Sequence, residues 1–252
     1  MARLYCPKEL IFGERIDIHK PEQIHYIRDV LRLGVGDVIV VFDGEEHEYR
    51  CRITELSKKE AKLLIEKKIK AKVEPKLTLA VACALPKQKN RFDDLLDKLS
   101  QLGVDKIYPM ITERVVVRWD YGQRQKHHRR WQKIAEQACA QSGRSALPVI
   151  EPVREMNQIL SFAESYELKL IPTLLEKSRR LREAVCGSLP GSILVLVGPE
   201  GDFTKQELGQ AESAGFIPVF LGDSVLRVDT AAIAVAAFIR LYENAVLWYR
   251  KV

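Results

Sequence analysis

Among the charged residues between 192 and 239, Glu200, Arg227 and Asp229 stand beside glycines and small residues. Glu200 lies in Gly198-Pro199-Glu200-Gly201, and Arg227 and Asp229 precede an alanine-rich run. A fixed guanidinium stabilises negative charge that develops in a reaction, and a nearby carboxylate can accept a proton. A salt bridge of Arg227 with Asp229 or Glu200 is the structural alternative. Gly198, Gly201 and Gly222 lack a Cβ, so backbone there can approach a ligand closely. Each glycine group ends an apolar run, Ile193 to Val197 and Ile217 to Leu221. Buried strands that end in neighbouring glycine loops make a ligand crevice in open α/β sheets. Thr204-Lys205-Gln206-Glu207 reads as a capping box that fixes the loop before it. Thr230 is expected to cap the last helix, which Ala231, Ala232, Ala234, Ala236 and Ala237 keep thin.

The elements that must position these residues follow from the apolar pattern. Leu77 to Leu85 is a continuous apolar strand, as in a parallel sheet covered on both faces. A helix over 91–102 closes at Gly103, and a strand over 106–111 and a helix over 125–142 follow. Strands are also expected at 168–171 and 193–197. Strands alternating with helices predict a wound α/β domain. Neither G-x-G-x-x-G nor G-x-x-x-x-G-K-[ST] occurs, so the dinucleotide and P-loop readings fall away.

Residues 1–73 have a different pattern. Asp37 to Phe42 runs into Asp43-Gly44, a hairpin signal, and strands are expected at 48–53 and 61–65. A helix over 21–33 starts at Pro21 and leaves at Gly34. The sum predicts a small β-barrel with a helix on its rim. Lys67 to Lys76 is a lysine-rich bridge, which puts the boundary between domains 1–73 and 74–252.

Basic residues recur along both parts: Arg3, Arg28 and Arg32, then Lys87, Lys89 and Arg91, Arg114 and Arg118, Arg130 and Arg144. Arg28 and Arg32 would share a helix face. Those after strands should converge on the ligand rim, and with Trp119, Tyr121 and Trp131 nearby they suit RNA. The net charge of +6, from 40 Lys+Arg against 34 Asp+Glu, permits a nucleic-acid partner without requiring one. His127 and His128 are adjacent, so on a helix they diverge and do not point to a metal. Five scattered cysteines without a C-x-x-C argue for reduced, cytoplasmic thiols and against zinc or a disulfide framework. No apolar run reaches membrane-spanning length, and MARLYCPKEL carries no signal-peptide core.

Six segments in order resemble one family. They are IRDVLRLGVGD at 27–37, VFDG at 41–44, RFDDLLDKLSQLGVDKIYPMITER at 91–114, RWQKIAEQACAQSGRSALPVI at 130–150, VGPEGDF at 197–203 and LGDSVLRVDTA at 221–231. Together they resemble the small-subunit (16S) ribosomal RNA uridine-N3 methyltransferases, the RsmE family of the SPOUT superfamily. The resemblance implies a PUA-like RNA-binding barrel and an α/β domain tied in a trefoil knot. It implies S-adenosyl-L-methionine in the knot, a cytoplasmic homodimer with the site at its interface, and 16S rRNA in the assembled small subunit as substrate. Connectivity rules alone argue against a knot.

On this resemblance, the cofactor is expected at Thr173, Leu196, Val197, Gly198, Pro199, Glu200, Gly201, Leu221, Gly222, Val225, Leu226, Arg227, Thr230 and Ala231. RNA is expected at Arg3, Arg28, Arg32, Lys87, Lys89, Arg91, Arg114, Arg130 and Arg144. Arg227 would stabilise the anionic uracil, and Glu200 and Asp229 both remain open as proton acceptor. Attack at N3 needs no covalent adduct, so Cys186 is not expected to act as a nucleophile. The sequence departs from the family pattern at Asp202, where a glycine is usual, at Gln101 and Ala140, where glutamate is usual, and at Asp229, a shorter carboxylate. Those changes bear on RNA docking and acid–base roles and leave the cofactor loops in place. The alternatives are a ribose methyltransferase of the same superfamily and an RNA-binding assembly factor without catalysis.

Overall fold

The computed structural model describes residues 1–45, 47–70, 77–117, 119–175, 177–186 and 190–249. The expected boundary, Arg118 and the side chain of Lys89 lie outside the described residues. The chain divides into two units, Met1–Glu74 with Glu136–Leu147, and Pro75–Ala135 with Pro148–Val252.

The first unit is built on six strands: β1 (Arg3–Tyr5), β2 (Ile11–Phe12), β3 (Arg15–Ile18), β4 (Val38–Phe42), β5 (His47–Leu56) and β6 (Ala61–Lys70). Their order is β1-β4-β5-β6-β3-β2. β1 runs parallel to β4 and the other pairs are antiparallel. The small β-barrel expected takes the form of a half-barrel sheet. Its edges are the short β1 and β2, which do not pair with each other. Register shifts at Arg50/Cys51 and Ile53/Glu55 bend the long β5–β6 hairpin. The Asp43-Gly44 turn forms as its residues dictate. Gly44 takes φ +81°, and Asp43 Oδ1 accepts the Glu45 and His47 N–H groups at 2.8 and 3.1 Å.

The rim helix is shorter than expected. α1 (Pro21–His25) passes into a wide turn over Tyr26–Val30, closed by Leu33 N–H on Ile27 O at 3.0 Å. Arg32, not Gly34, makes the left-handed exit, at φ +55°. Arg28 and Arg32 therefore do not share a helix face.

The second unit holds β7 (Thr78–Ala84), α2 (Lys89–Leu102), β8 (Lys106–Ile111), the part of α3 (Tyr121–Ser142) up to Ala135, β9 (Val149–Ile150), β10 (Arg154–Glu155), α4 (Met156–Leu160), β11 (Leu168–Pro172), β12 (Arg179–Arg180), α5 (Leu181–Val185), β13 (Ser192–Val197), α6 (Lys205–Ser213), β14 (Ile217–Phe220) and α7 (Val228–Tyr249). All strands are parallel, in the order β10-β8-β7-β13-β11-β14-β12, with β9 also on β8. The apolar β7 feeds two cores, as period-two alternation requires. Leu79, Val81 and Cys83 pack with α2, α3, α5 and α7. Ala80, Ala82 and Ala84 pack with Met156, Ile159, Phe203 and Ala211. α2 ends where expected, with Gly103 at φ +89°. α3 starts at Tyr121, ahead of the expected 125, because Asp120 and Gln123 cap it reciprocally at 2.8 and 3.1 Å.

Candidate active site

The ends of β11, β13 and β14 enclose a cleft of about 340 Å3, within the ~300–1,000 Å3 range of small-molecule sites. Its floor is Pro172 and Thr173 after β11, Val197 and Gly198 after β13, and Leu221 and Gly222 after β14. Each strand end is apolar because the strands are buried on both faces, and each loop is polar or small.

The Gly198–Asp202 loop is held from several sides. A Cβ on Gly198 would stand 2.8 Å from the Phe203 ring, so the buried Phe203 demands glycine there. Asp202 takes φ +59°, a conformation that glycine adopts most easily and aspartate tolerates, and its Oδ1 accepts the Phe203 N–H at 2.8 Å. The Thr204–Glu207 capping box forms as expected, at 3.2 and 2.8 Å. The free Glu207 oxygen also accepts the Glu113 N–H at 2.8 Å. Next to it, Arg114 donates to the carbonyls of Gly201 and Asp202. Two residues after β8 thus clamp the loop after β13. Gly222 takes φ +145° with open space around it, so its requirement is conformational.

The second polar feature adjoins the cleft. Arg227, Asp229 and Glu200 line a narrow crevice with Pro86, Arg91, Leu95 and Val228. Glu200 alone of the three also lines the cleft. Its carboxylate lies 3.8 Å from Arg91 Nη1. Asp229 Oδ1 accepts the Thr230 N–H at 2.9 Å in the first turn of α7. Arg227 is exposed; its carbonyl accepts the Ala231 N–H at 2.8 Å, and its guanidinium forms no hydrogen bond or ion pair among the described residues. The salt-bridge alternative for Arg227 is therefore absent.

Most residues expected at the cofactor converge on the cleft: Thr173, Val197, Gly198, Pro199, Glu200, Gly201, Leu221, Gly222, Val225, Leu226 and Ala231 line it. Leu196 does not. Its side chain is buried in the core beside Ala82 and Met110, because alternation along β13 turns it away. Arg227 lines the crevice instead. Thr230 lies inside the first turn rather than capping α7, which starts at Val228. Pro172, Leu174, Asp202, Ser224 and Val228 also line the cleft and were not expected. The signal for Pro172 and Leu174 was their place at the end of a third parallel strand. One lining group lacks a partner: Thr173 Oγ1 is buried and unbonded. A hydroxyl left so at a cleft wall fits a ligand that supplies the missing hydrogen bond.

The residues expected at RNA divide. Lys87 and Arg32 are exposed. Arg3 is held inside the first unit, donating to Glu48 Oε1, Arg144 O and Ser145 Oγ at 2.9, 3.2 and 3.3 Å. Burial would push the Glu48 carboxyl up, but the bonds from Arg3 and Ser145 outweigh it and lower it below the ordinary range. Arg28 forks onto its neighbour Asp29 at 2.8 and 2.7 Å. Arg130 pairs with Asp93 at 2.7 Å, Arg91 lies by Glu200, and Arg114 grips the loop. The half-buried Arg144 gives its carbonyl to Arg3. Of the aromatics, Trp131 is buried against Phe92 and Trp119 stacks on His127 at 4.1 Å. Neither ring offers a free face in the way Tyr121 does, at 77 % exposure. His128 instead bonds Ile150 O at 2.7 Å, so the two adjacent imidazoles diverge.

Known proteins share this arrangement. Residues 73–240 match the family described as an RNA methyltransferase domain, and residues 20–66 match an RNA methyltransferase PUA domain. A ribosomal RNA small subunit methyltransferase E of Rickettsia conorii is 32% identical over 95% of each chain. One from Synechocystis is 31% identical over 88% of this chain and 72% of its own. The crystal structure of a ribosomal RNA small subunit methyltransferase E from Neisseria gonorrhoeae bound to S-adenosyl methionine superposes with a TM-score of 0.85 at 33% identity, over 96% of this chain and 98% of that one. A methyltransferase from Legionella pneumophila with bound cofactor SAM gives a TM-score of 0.87 at 30% identity, over 96% and 97% of the two chains.

Proposed function

The chain belongs to the RNA methyltransferase family that includes the ribosomal RNA small subunit methyltransferases E, and from that premise we propose that it transfers a methyl group from S-adenosyl-L-methionine to N3 of a uridine in 16S ribosomal RNA. The observation that carries the reading is the unpaired Arg227 guanidinium in a crevice that shares Glu200 and Val228 with the lining of the cleft. Bound in that cleft, the cofactor supplies an electrophilic methyl group. Gly198, Gly201 and Gly222 let backbone come close to it, the Thr173 hydroxyl offers a hydrogen bond, and Glu200 and Asp202 on the wall suit a cationic ligand.

Uracil N3 carries its proton on the pairing edge, so the base must be unpaired and presented singly. Loss of that proton spreads negative charge over the ring carbonyls. Arg227 stabilises that charge. Glu200 takes the proton, because it borders both the crevice and the cleft, whereas Asp229 is tied to the Thr230 N–H. The first unit, with its PUA match, holds the RNA outside the target base, with residues 1–73 as the RNA-binding domain and 74–252 as the methyltransferase domain.

The same reading makes the second domain a SPOUT-type trefoil knot. In its support, β13 inserts between β7 and β11, and the chain after β14 turns back to lay α7 on β7, β13 and α2. It also makes the protein a homodimer in the cytoplasm, acting on the assembled small subunit.

Labelled cofactor supplied to small subunits that lack the modification, and separately to free 16S rRNA, tests the assignment. Mass spectrometry of the digested RNA is expected to find the methyl on N3 of one uridine, with assembled subunits the better substrate. A label on ribose or on a base carbon overturns the N3 assignment, and no label at all favours a binding protein.

A further inference from the structure

The second unit carries a separate groove of about 620 Å3 at the edge of its sheet. One wall is the first turns of α3, with Tyr121, Arg124, Gln125, His128 and Arg129, and the other is Pro152 and Val153. The edge opens there because β9 and β10 pair with β8 in succession and Pro152, between them, has no N–H for the ladder.

The lining is prepared. Tyr121 is 77 % exposed, and its hydroxyl accepts from Gln125 Nε2 at 2.7 Å, which steadies the ring. Arg124 Nε donates to Trp119 O at 3.2 Å, leaving its terminal nitrogens without partners among the described residues. The exposed Arg129 has none there either. His128 Nε2 donates to Ile150 O at 2.7 Å, since a carbonyl can only accept. Among the described residues, no carboxylate lines the groove. An open aromatic face, an apolar wall opposite and two anchored or free guanidiniums match a stacked base with its phosphate. A second copy of this chain would bring a net charge of +6 to a cationic groove, which disfavours it.

We propose that this groove holds an unpaired nucleotide of the RNA substrate, its base between Tyr121 and Pro152–Val153 and its phosphate on Arg124 and Arg129. The proposal rests on the RNA methyltransferase reading above. The edge strand lies three places from β13 in the sheet, roughly 14 Å at ~4.8 Å per strand, so the nucleotide is a near neighbour of the target base and not the target itself.

Methyl transfer to a small-subunit RNA substrate, measured at varied RNA and salt, tests this. Tyr121→Ala is expected to raise KM for RNA about tenfold, as loss of one stacked base does. Turnover at saturating RNA and cofactor affinity stay within about twofold, and Tyr121→Phe recovers most of the loss. Arg129→Ala is expected to weaken RNA binding and lower the salt slope by about one. An unchanged KM and salt slope in both alanine variants overturn the proposal, as does a change of oligomeric state in sedimentation, which would mean a second copy covers the groove. Failure of the wild type to methylate RNA is a different result and sinks the underlying reading instead.

Discussion

An exposed arginine near two carboxylates normally pairs with one of them. Arg227 does not, although Glu200 and Asp229 line the same crevice. Glu200 lies 3.8 Å from Arg91 and Asp229 Oδ1 accepts the Thr230 N–H, so each carboxylate has another partner while keeping acceptor sites free. The guanidinium is left to a ligand. Arg227→Ala is expected to lower turnover about 10²–10³-fold, the usual effect of deleting one charge-stabilising donor, with cofactor affinity within about threefold. Single-turnover rates and calorimetry with S-adenosylmethionine separate the two. Equal losses in both would make Arg227 structural. In the same assay Glu200→Gln should cost more turnover than Asp229→Asn, and the reverse ranking moves the proton acceptor to Asp229. Glycines and the Arg-x-Asp spacing made this corner legible in the sequence. Thr173 was not legible from pattern. Nothing around it marks a site, and its unbonded hydroxyl acquires meaning only when β11 lies beside β13. Arg114 was legible as a basic residue after a strand, but its carbonyl partners lie 87 and 88 positions away, beyond any local pattern.

Elements show the same division between local and distant causes. Capping boxes, the Gly103 stop and the Asp43-Gly44 turn are short-range chemistry, and the chain obeys them. The strands β1 and β2 are three and two residues long; β1 exists because the distant β4 pairs with it, whereas β2 pairs with the adjacent β3 across a turn at Gly13 and is too short for a periodic pattern. α7 carries the sharpest case. Its alanines read as a thin packing helix, and Arg240 went unnoticed within it. Arg240 is 8 % exposed and bonds Gly103 O, Leu77 O, Asp105 and Glu243, while Glu243 accepts the Leu77 N–H at 2.7 Å. One guanidinium thus ties α7 to the start of β7 and to the α2–β8 turn. Its sequence signal was a lone Arg-x-x-Glu in an apolar helix. Arg240→Met leaves Glu243 buried without its cation and is expected to destabilise the fold by about 3–5 kcal/mol. Denaturant unfolding measures it. Arg240→Met with Glu243→Leu should recover part of the loss, because the carboxylate of Glu243 is no longer buried without its cation, while Asp105 and the Leu77 N–H still lose their partners. A single-variant loss below about 1 kcal/mol would show that water reaches the cluster.

At the scale of the molecule, the sequence suggested a cut between residues 73 and 74, which lies outside the described residues, and Glu136–Leu147 groups with Met1–Glu74. Its Leu147 N–H bonds Gly44 O at 3.1 Å, a long-range pairing that composition cannot announce. The cleft raises a further question of completeness. Val225, Leu174 and Leu226 line its mouth at 80, 49 and 36 % exposure. Scattered apolar side chains on a surface are ordinary, but several at one site mark a surface that another body covers. The homodimer reading supplies that body. A second copy seated on the mouth would bury these side chains and shut water out of the cleft. Val225→Glu with Leu226→Gln should therefore shift the protein from dimer to monomer in sedimentation and weaken cofactor binding about tenfold. The two effects should rise and fall together with protein concentration, since each depends on the same association. A wild type that sediments as a monomer at micromolar concentration, or a variant that stays dimeric with unchanged affinity, removes the partner from the site and leaves each chain to close its own cleft.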